Sequence, residues 1–390
     1  MNHLSIWRTS LLVLAAAPLA YYVVAIFAAL RFFLRARARR LPEFSPPVSL
    51  LKPVHGVDFD SHANYASFCT QVYLEYEILF CVNDMQDPAV PLLQQVIKDF
   101  PERSIRILSG APKIGSNQKV NNLILLAREA KHEIIVQSDG DVRVSPDYLK
   151  NVVAEFRDKS VGVVSCFYRG VAEKNFWAEL EAVGAASDFF AGALVANLPG
   201  NVTFALGASV ATTKTWLAKI GGYEALADLL ADDYEIGNRI HKEGGKVLLS
   251  REAVWTMYPA QTLKSFWQHQ VRWARTVRVV RPASFVGLVV THGLPWSALA
   301  AAVAPSAQVG AAFLAAYLVL RLLMAWVVGV WGVNDGVLRR KLWLVPVRDA
   351  IHFAVWLAGF TSNRVTWGGV EYAIEGGKMR EVGEASNKMN

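Results

Sequence analysis

Apolar positions along the chain fall into three regimes. Residues 11–33, LLVLAAAPLAYYVVAIFAALRFF, form an almost unbroken apolar run. As a helix it is long enough to cross a hydrocarbon core of ~30 Å. From Val48 the texture changes to short β-rich runs at 48–54, 76–82, 104–109, 133–138, 161–167, 207–212 and 246–250. Between them lie stretches with helical spacing, such as 88–100, 121–130 and 146–156. From Phe285 the chain turns apolar again, in segments 285–304, 308–332 and 342–360. Strands alternating with helices of this length predict βαβ units, hence an α/β domain with a mainly parallel sheet. Ligands on such sheets bind beyond the carboxyl ends of strands, so chemistry is expected in the loops after Val82 and Ser138.

Charge refines this layout. A single basic residue, Arg8, precedes the first run, whereas Arg31, Arg35, Arg37, Arg39 and Arg40 stand at or beyond its end. That bias reads as a retained anchor with the following domain on the cytoplasmic side. Arg339, Arg340 and Lys341 place a second loop on the same side. The last segment carries Arg348, Asp349 and His352. Charges at such depth are costly and face a partner or a cavity, so this segment reads as a candidate re-entrant or interfacial element. The expected organisation is an anchor over 1–40, a domain over 41–280, membrane segments over 281–362 and a tail over 363–390.

Hydrophobic residues make up 53% of the 390 and the net charge is +7. The excess charge belongs to membrane topology, and no zinc-finger, helix-turn-helix or base-stacking signature supports nucleic acid as a partner. Cys69, Cys81 and Cys166 are too few and scattered for a disulfide framework and read as buried thiols. Nothing in the sequence sets the oligomeric state.

Candidate chemistry gathers at strand ends. In SDGDV, Asp139 and Asp141 flank one glycine just after a buried strand. Paired carboxylates there suit a divalent cation, which would neutralise a departing diphosphate. Asp84 ends the run 76–82 and could accept hydrogen bonds from a nucleobase or ribose, or cap the next helix. Asp87 before Pro88 fits a cap better, which leaves Asp84 the functional role. In ADDYEIG, adjacent Asp232 and Asp233 open a helix, so one can cap while the other acts as a base; a merely solvated helix start is the alternative. Lys119 and Asn122 lie in KIGSNQKVNNL, a loop that can present donors to an anionic ligand. Arg272, Arg275 and Arg278 recur at helical spacing with Trp267 and Trp273. They suit a phosphate clamp, a membrane-surface helix, or both.

Taken together, these stretches resemble the ceramide glucosyltransferase family and its bacterial relatives, including hopanoid-associated glycosyltransferases. The resemblance runs through VSLLKPVHGVD, EYEILFCVNDMQDPAV, KIGSNQKVNNL, SDGDVRVSPDYL, LGASVA, ADDYEIG and QVRWAR, covering roughly 45–280. It implies a Rossmann-like GT-A domain between N- and C-terminal transmembrane helices, a UDP-sugar donor, and Mg2+ or Mn2+. It further implies inverting transfer of glucose or N-acetylglucosamine to a ceramide-like or hopanoid-like lipid hydroxyl. By that resemblance Asp84 and Lys119 serve the nucleotide-sugar, and Asp139 with Asp141 the metal and diphosphate. Asp233 is the catalytic base, with Arg272 and Trp273 at the diphosphate and acceptor. The implied location is a bacterial inner membrane, with the catalytic domain in the cytoplasm.

Two departures qualify it. His269 stands where the family's last motif usually carries Gln or Arg, and 184–190 lacks the histidine of the ceramide-specific animal enzymes. The second difference favours a bacterial lipid acceptor. A processive polysaccharide synthase shares these aspartates and the Arg-Trp pair, but few membrane segments follow the domain. A non-catalytic scaffold would not be expected to keep every site residue.

Overall fold

The computed structural model describes residues 3–200 and 202–382. The chain forms two compact units. A sheet unit takes residues 36–173, 199–259 and 372–390, and a helical unit takes 1–35, 174–198 and 260–371.

In the sheet unit, strands β1 (Val48–Pro53), β2 (Tyr76–Cys81), β3 (Ser104–Leu108), β4 (Ile134–Ser138), β5 (Val142–Arg143), β6 (Val161–Ala172), β7 (Ser209–Thr213) and β8 (Lys246–Tyr258) form one sheet. Their order is β3-β2-β1-β4-β7-β6-β8-β5. β1 pairs in parallel with both β2 and β4, and β2 with β3, so the chain steps outward to β3 and returns to the other side of β1. That reversal makes the carboxyl ends of β1 and β4 a switch point, where α/β sheets open a crevice. β7 then runs antiparallel between β4 and β6, while β6 and β8 pair in parallel. The expected α/β architecture is present, mixed but mostly parallel.

Every residue of β1, β2 and β4 is buried. That accounts for their near-continuous apolar runs, since strands covered on both faces cannot alternate. The differences from expectation are as informative. β6 and β8 extend to Ala172 and Tyr258, well past their apolar runs, by pairing Phe167 with Ala253 through Ala172 with Tyr258. The two extensions pair with each other, and Ala253, Val254, Met257 and Tyr258 of β8 are buried along them. Beyond 363, where no strand was expected, a hairpin pairs Tyr372 with Glu381 and Glu375 with Lys378. Gly376 and Gly377 have φ of 57° and 84°, which is what a two-residue hairpin turn demands of both central residues. The hairpin fastens to the rest of the sheet unit through Met379 N, which donates to Asp228 O at 2.7 Å. The tail after residue 382 lies outside the described residues. All three cysteines are buried and unpaired, as expected.

Among the described residues, three helices of the helical unit are long and apolar enough to cross a membrane: Ile6–Ala38, Ala307–Val333 and Leu342–Gly359. A fourth, Pro282–Thr291 with Gly293–Val303, qualifies only as a pair bent by 50°. Such a bend marks a broken span or a re-entrant loop, whereas Leu342–Gly359 qualifies as a single helix. At the break, Tyr22 of the N-terminal helix meets the exposed backbone: its hydroxyl donates to Thr291 O and accepts from Gly293 N at 3.0 Å. A Cβ on Gly293 would stand 2.3 Å from that hydroxyl, so only glycine admits the contact.

The charges of 342–360 find partners inside the unit. Asp349 accepts Arg321 Nε at 3.0 and 3.1 Å and the Tyr317 hydroxyl at 2.8 Å. Arg321, hidden in the apolar segment 308–332, also reaches Ser187 and Asp188. Removing one partner of a buried ion pair typically costs about 3–5 kcal/mol, whereas replacing the whole pair with apolar residues is often neutral. Asp349→Leu should therefore lower the thermal unfolding midpoint in detergent, and Arg321→Met with Asp349→Leu and Asp188→Asn, which leaves no acid stranded, should recover much of the loss. A triple variant no better than the single one would contradict this.

Candidate active site

The aspartates of the sheet unit collect where the switch point predicts. Asp139, Gly140 and Asp141 form the turn leaving β4. Its backbone is tied on both sides: Asp139 N donates to Ala208 O at 3.3 Å, and Asp141 O accepts from Met257 N at 3.1 Å. Lys52, wholly buried in β1, donates from Nζ to Asp139 O at 2.8 Å and lies 3.8 Å from the Phe68 ring centroid. Burial brings its pKa down to about 7, although Asp141 and Asp139 pull the other way.

Acid groups crowd this turn. Asp58 Oδ2 is 3.7 Å from where a Cβ on Gly140 would lie. Burial first, then Asp139 and Asp58, push the Asp141 carboxyl up to about 7. Hard oxygen donors under mutual repulsion fit a divalent cation. No group of three His, Cys, Asp or Glu side chains among the described residues forms a closed cage. The donor set instead fits a Mg2+-type site, in which one or two carboxylates hold the ion and substrate oxygens and water complete it.

Lys119 joins this turn to the next acidic pair. It sits in the first turn of the helix Gln118–Glu129, whose cap is Asn117, the side chain accepting from Val120 N at 3.2 Å. Lys119 Nζ is 2.7 Å from Asp139 Oδ1 and 3.6 Å from Asp232 Oδ2. Burial alone would discharge it, but Asp139, Asp232 and Asp233 outweigh that and hold its pKa above the ordinary lysine value. The loop before it is fastened to the stretch before Asp232: Asn117 Nδ2 donates to Leu229 O and Ser116 N to Asp228 Oδ1. Asn122 bonds Asn83 and Gln118, a structural tie.

Asp232 and Asp233 are the first two residues of the helix Asp232–Lys242, and its N-cap is Ala231, with no side-chain cap bond. Neither carboxylate caps, contrary to expectation; both lie inside the first turn, where the helix dipole favours negative charge. Burial, then Asp232, push the Asp233 pKa up to about 6 against the pull of Lys119. Asp233 Oδ2 lies 2.5 Å from the position of a Cβ on Gly207. Gly237 lets the same helix approach closely, since a Cβ there would meet Ala205 N at 2.4 Å. Two glycines thus set the depth at which Asp233 sits.

At the end of β2, Asp84 is exposed, with Oδ1 accepting from Gln86 N at 2.7 Å. Asp87 is buried and accepts from Ala89 N and Gly56 N; its role is structural, although the helix Val90–Asp99 that it was expected to cap has Ala89 at its N-cap and no side-chain cap bond.

Arg272 and Trp273 belong to the helical unit, on the helix Leu263–Val280. The Arg272 guanidinium faces Trp367, 5.6 Å from its centroid. With Trp267, Arg275, Val365 and Thr366 it lines a cleft of about 220 Å³. Arg275 and Arg278 bond to residues 361–364 and so anchor the helix. His269 bonds Glu181 at 2.6 Å and packs 4.8 Å from the Trp273 ring. Burial would raise the Glu181 pKa, yet the bonds from His269 and Gln261 bring it below the ordinary value.

The profile of glycosyl transferase family 21 matches residues 10–380. The chain belongs to that family. Ceramide glucosyltransferase 1 of Caenorhabditis elegans is 27% identical over 261 residues, covering 64% of this chain and 56% of the relative. Ceramide glucosyltransferase of Gibberella zeae is 30% identical over 142 residues, 34% of this chain and 27% of that one. The chain spans about half the length, or less, of these curated relatives. A mannosyltransferase from Pyrobaculum calidifontis, solved with GDP-Man and Mn2+, aligns with 89% of this chain and 97% of its own, at a TM-score of 0.48 and 18% identity.

In this family 21 chain, sequence reasoning passed over Lys52, Asp58 and Asp228. Lys52 was masked by the apolar run VSLLKPV, though a lysine in a buried strand is itself a signal of a nearby acid. Asp58 and Asp228 act through folded proximity, which spacing does not report.

Gly207→Ala should displace the Asp233 carboxylate. A shift of about 1 Å would lower turnover about 100-fold, with donor affinity by calorimetry nearly unchanged. Wild-type turnover would mean that this placement is irrelevant.

Proposed function

We propose that this chain is an inverting GT-A glycosyltransferase moving a hexose from a UDP-sugar to a lipid hydroxyl at a membrane surface. The observation that carries the reading is Asp233, its pKa pushed up to about 6 within a charge cluster that also holds Lys119 and Asp139. A carboxylate with a pKa near the working pH is suited to general-base catalysis. Asp233 takes the proton of the acceptor hydroxyl as its oxygen attacks the anomeric carbon. The bond to the diphosphate breaks on the opposite face, and UDP leaves with the electron pair. Lys119 keeps Asp139 oriented and balances charge as the diphosphate develops. Asp139 and Asp141 would hold Mg2+ or Mn2+, which would supply charge neutralisation at the leaving group. Asp84 would take the uracil or ribose. The family resemblance assigns Arg272 and Trp273 to the diphosphate and the acceptor.

Relatives named ceramide glucosyltransferases support glucose as the sugar and a sphingoid acceptor. The lack of a histidine in 184–190 supports a hopanoid-like alcohol as the bacterial counterpart. Five arginines at the end of the first span support an inner-membrane enzyme whose sheet unit faces the cytoplasm.

Purified full-length protein in nanodiscs, given radiolabelled UDP-glucose, UDP-galactose or UDP-N-acetylglucosamine with ceramide or a hopanoid alcohol, should yield one labelled lipid. Chelation should stop transfer, and Asp233→Asn should slow it about 10²–10⁴-fold with UDP-sugar binding retained. Label in polymer alone, or in nothing, would contradict the proposal.

A further inference from the structure

Two buried arginines of the helical unit differ sharply in their surroundings. All three nitrogens of Arg321 are matched, by Asp349, Ser187 and Asp188. Arg348, next to Asp349, is 5% exposed and makes one hydrogen bond, from Nη2 to Gln270 Oε1 at 2.6 Å. Its Nε and Nη1 are buried and meet no acceptor among the described residues. Gln270 Nε2 and His292 Nε2 share that condition, on side chains 3% and 5% exposed.

These donors converge from three segments: the helix Leu263–Val280, the break at 292, and the helix Val345–Gly359. His352, one turn beyond Arg348, meets His292 edge-on with ring centroids 5.1 Å apart, and its Nδ1 lies 3.5 Å from Asp188 Oδ2. The same face therefore offers acceptors as well as donors. Gly184 admits the guanidinium, since a Cβ there would be 2.2 Å from Arg348 Nε.

In a helix bundle of this hydropathy, bulk water is not at hand to satisfy such groups. The unmatched N–H groups on Nε and Nη1 call for oxygen acceptors, which an amide carbonyl or a hydroxyl can supply. Asp188 Oδ2 is itself buried without a hydrogen-bond partner among the described residues, so an anionic head would meet an unmatched carboxylate, whereas an uncharged head with an N–H or O–H could donate to it. We propose that Arg348, Gln270 and His292 form a site for the uncharged polar head of a membrane lipid, gripping its amide or hydroxyl oxygens. Resting on the function proposed above, that lipid is the sugar acceptor.

Equilibrium binding of a fluorescent short-chain ceramide to the full chain in detergent tests the site without requiring turnover. Arg348→Met should weaken ceramide binding about tenfold or more, the effect of an unpaired buried donor set, and leave phosphatidylglycerol binding unchanged. His292→Phe, which preserves the aromatic packing around His352, Phe353 and Trp356, should act in the same direction and serves if Arg348→Met misfolds. In transfer assays the acceptor KM should rise with the donor KM unchanged. Ceramide affinity unmoved in both variants would overturn the proposal and leave buried water as the occupant. Phosphatidylglycerol displacing ceramide in an Arg348-dependent way would overturn it in favour of an anionic head. Arg348-dependent ceramide binding without transfer by the wild type would uphold the site and remove the proposed function.

Discussion

A single ammonium group, Lys119 Nζ, holds three acids in one place. It contacts Asp139 at 2.7 Å and Asp232 at 3.6 Å, and its charge is felt at Asp233. Without it the turn after β4 and the helix start at Asp232 would repel each other. Burial, then Asp232, keep Asp233 a weak acid even beside that lysine. The tethers around it serve the same end: Asn117 and Asp228 fasten the lysine's loop, and Gly207 and Gly237 set the approach of the acidic helix.

Much of this was legible before any coordinates. Seven β-rich runs became strands, and β1, β2 and β4, buried on both faces, write themselves as continuous apolar sequence. The switch point then follows from strand order, and with it the position of Asp139. What stayed hidden depended on long-range pairing. The extensions of β6 and β8 lie past their apolar runs and pair with each other. Lys52 lay inside an apolar run. The C-terminal hairpin left only Gly376-Gly377 as its trace, a turn signal that could have been read. The start of the acidic helix was misassigned because sequence patterns name a cap by residue type, whereas Ala231 holds that position through its backbone.

The helical unit repeats the lesson that buried charge demands an answer. The segment with the most charge, 342–360, stays one continuous helical stretch, in which Asp349 meets Arg321 and Tyr317. The segment without charge, 285–304, is the broken one, and Tyr22 repairs its backbone. Hydropathy finds spans but does not see which residues they share partners with.

The central claim is that Asp233 is the base and that Lys119 sets its pKa. The pH dependence of kcat/KM for the wild type and Lys119→Gln tests it most directly. Because the base must be deprotonated, the wild-type rate should climb with pH up to about 6 and then level off. In Lys119→Gln that limb should move to higher pH, since a cation that favours the carboxylate is gone. A limb in the ordinary carboxylate range, or one unmoved by Lys119→Gln, would contradict the account.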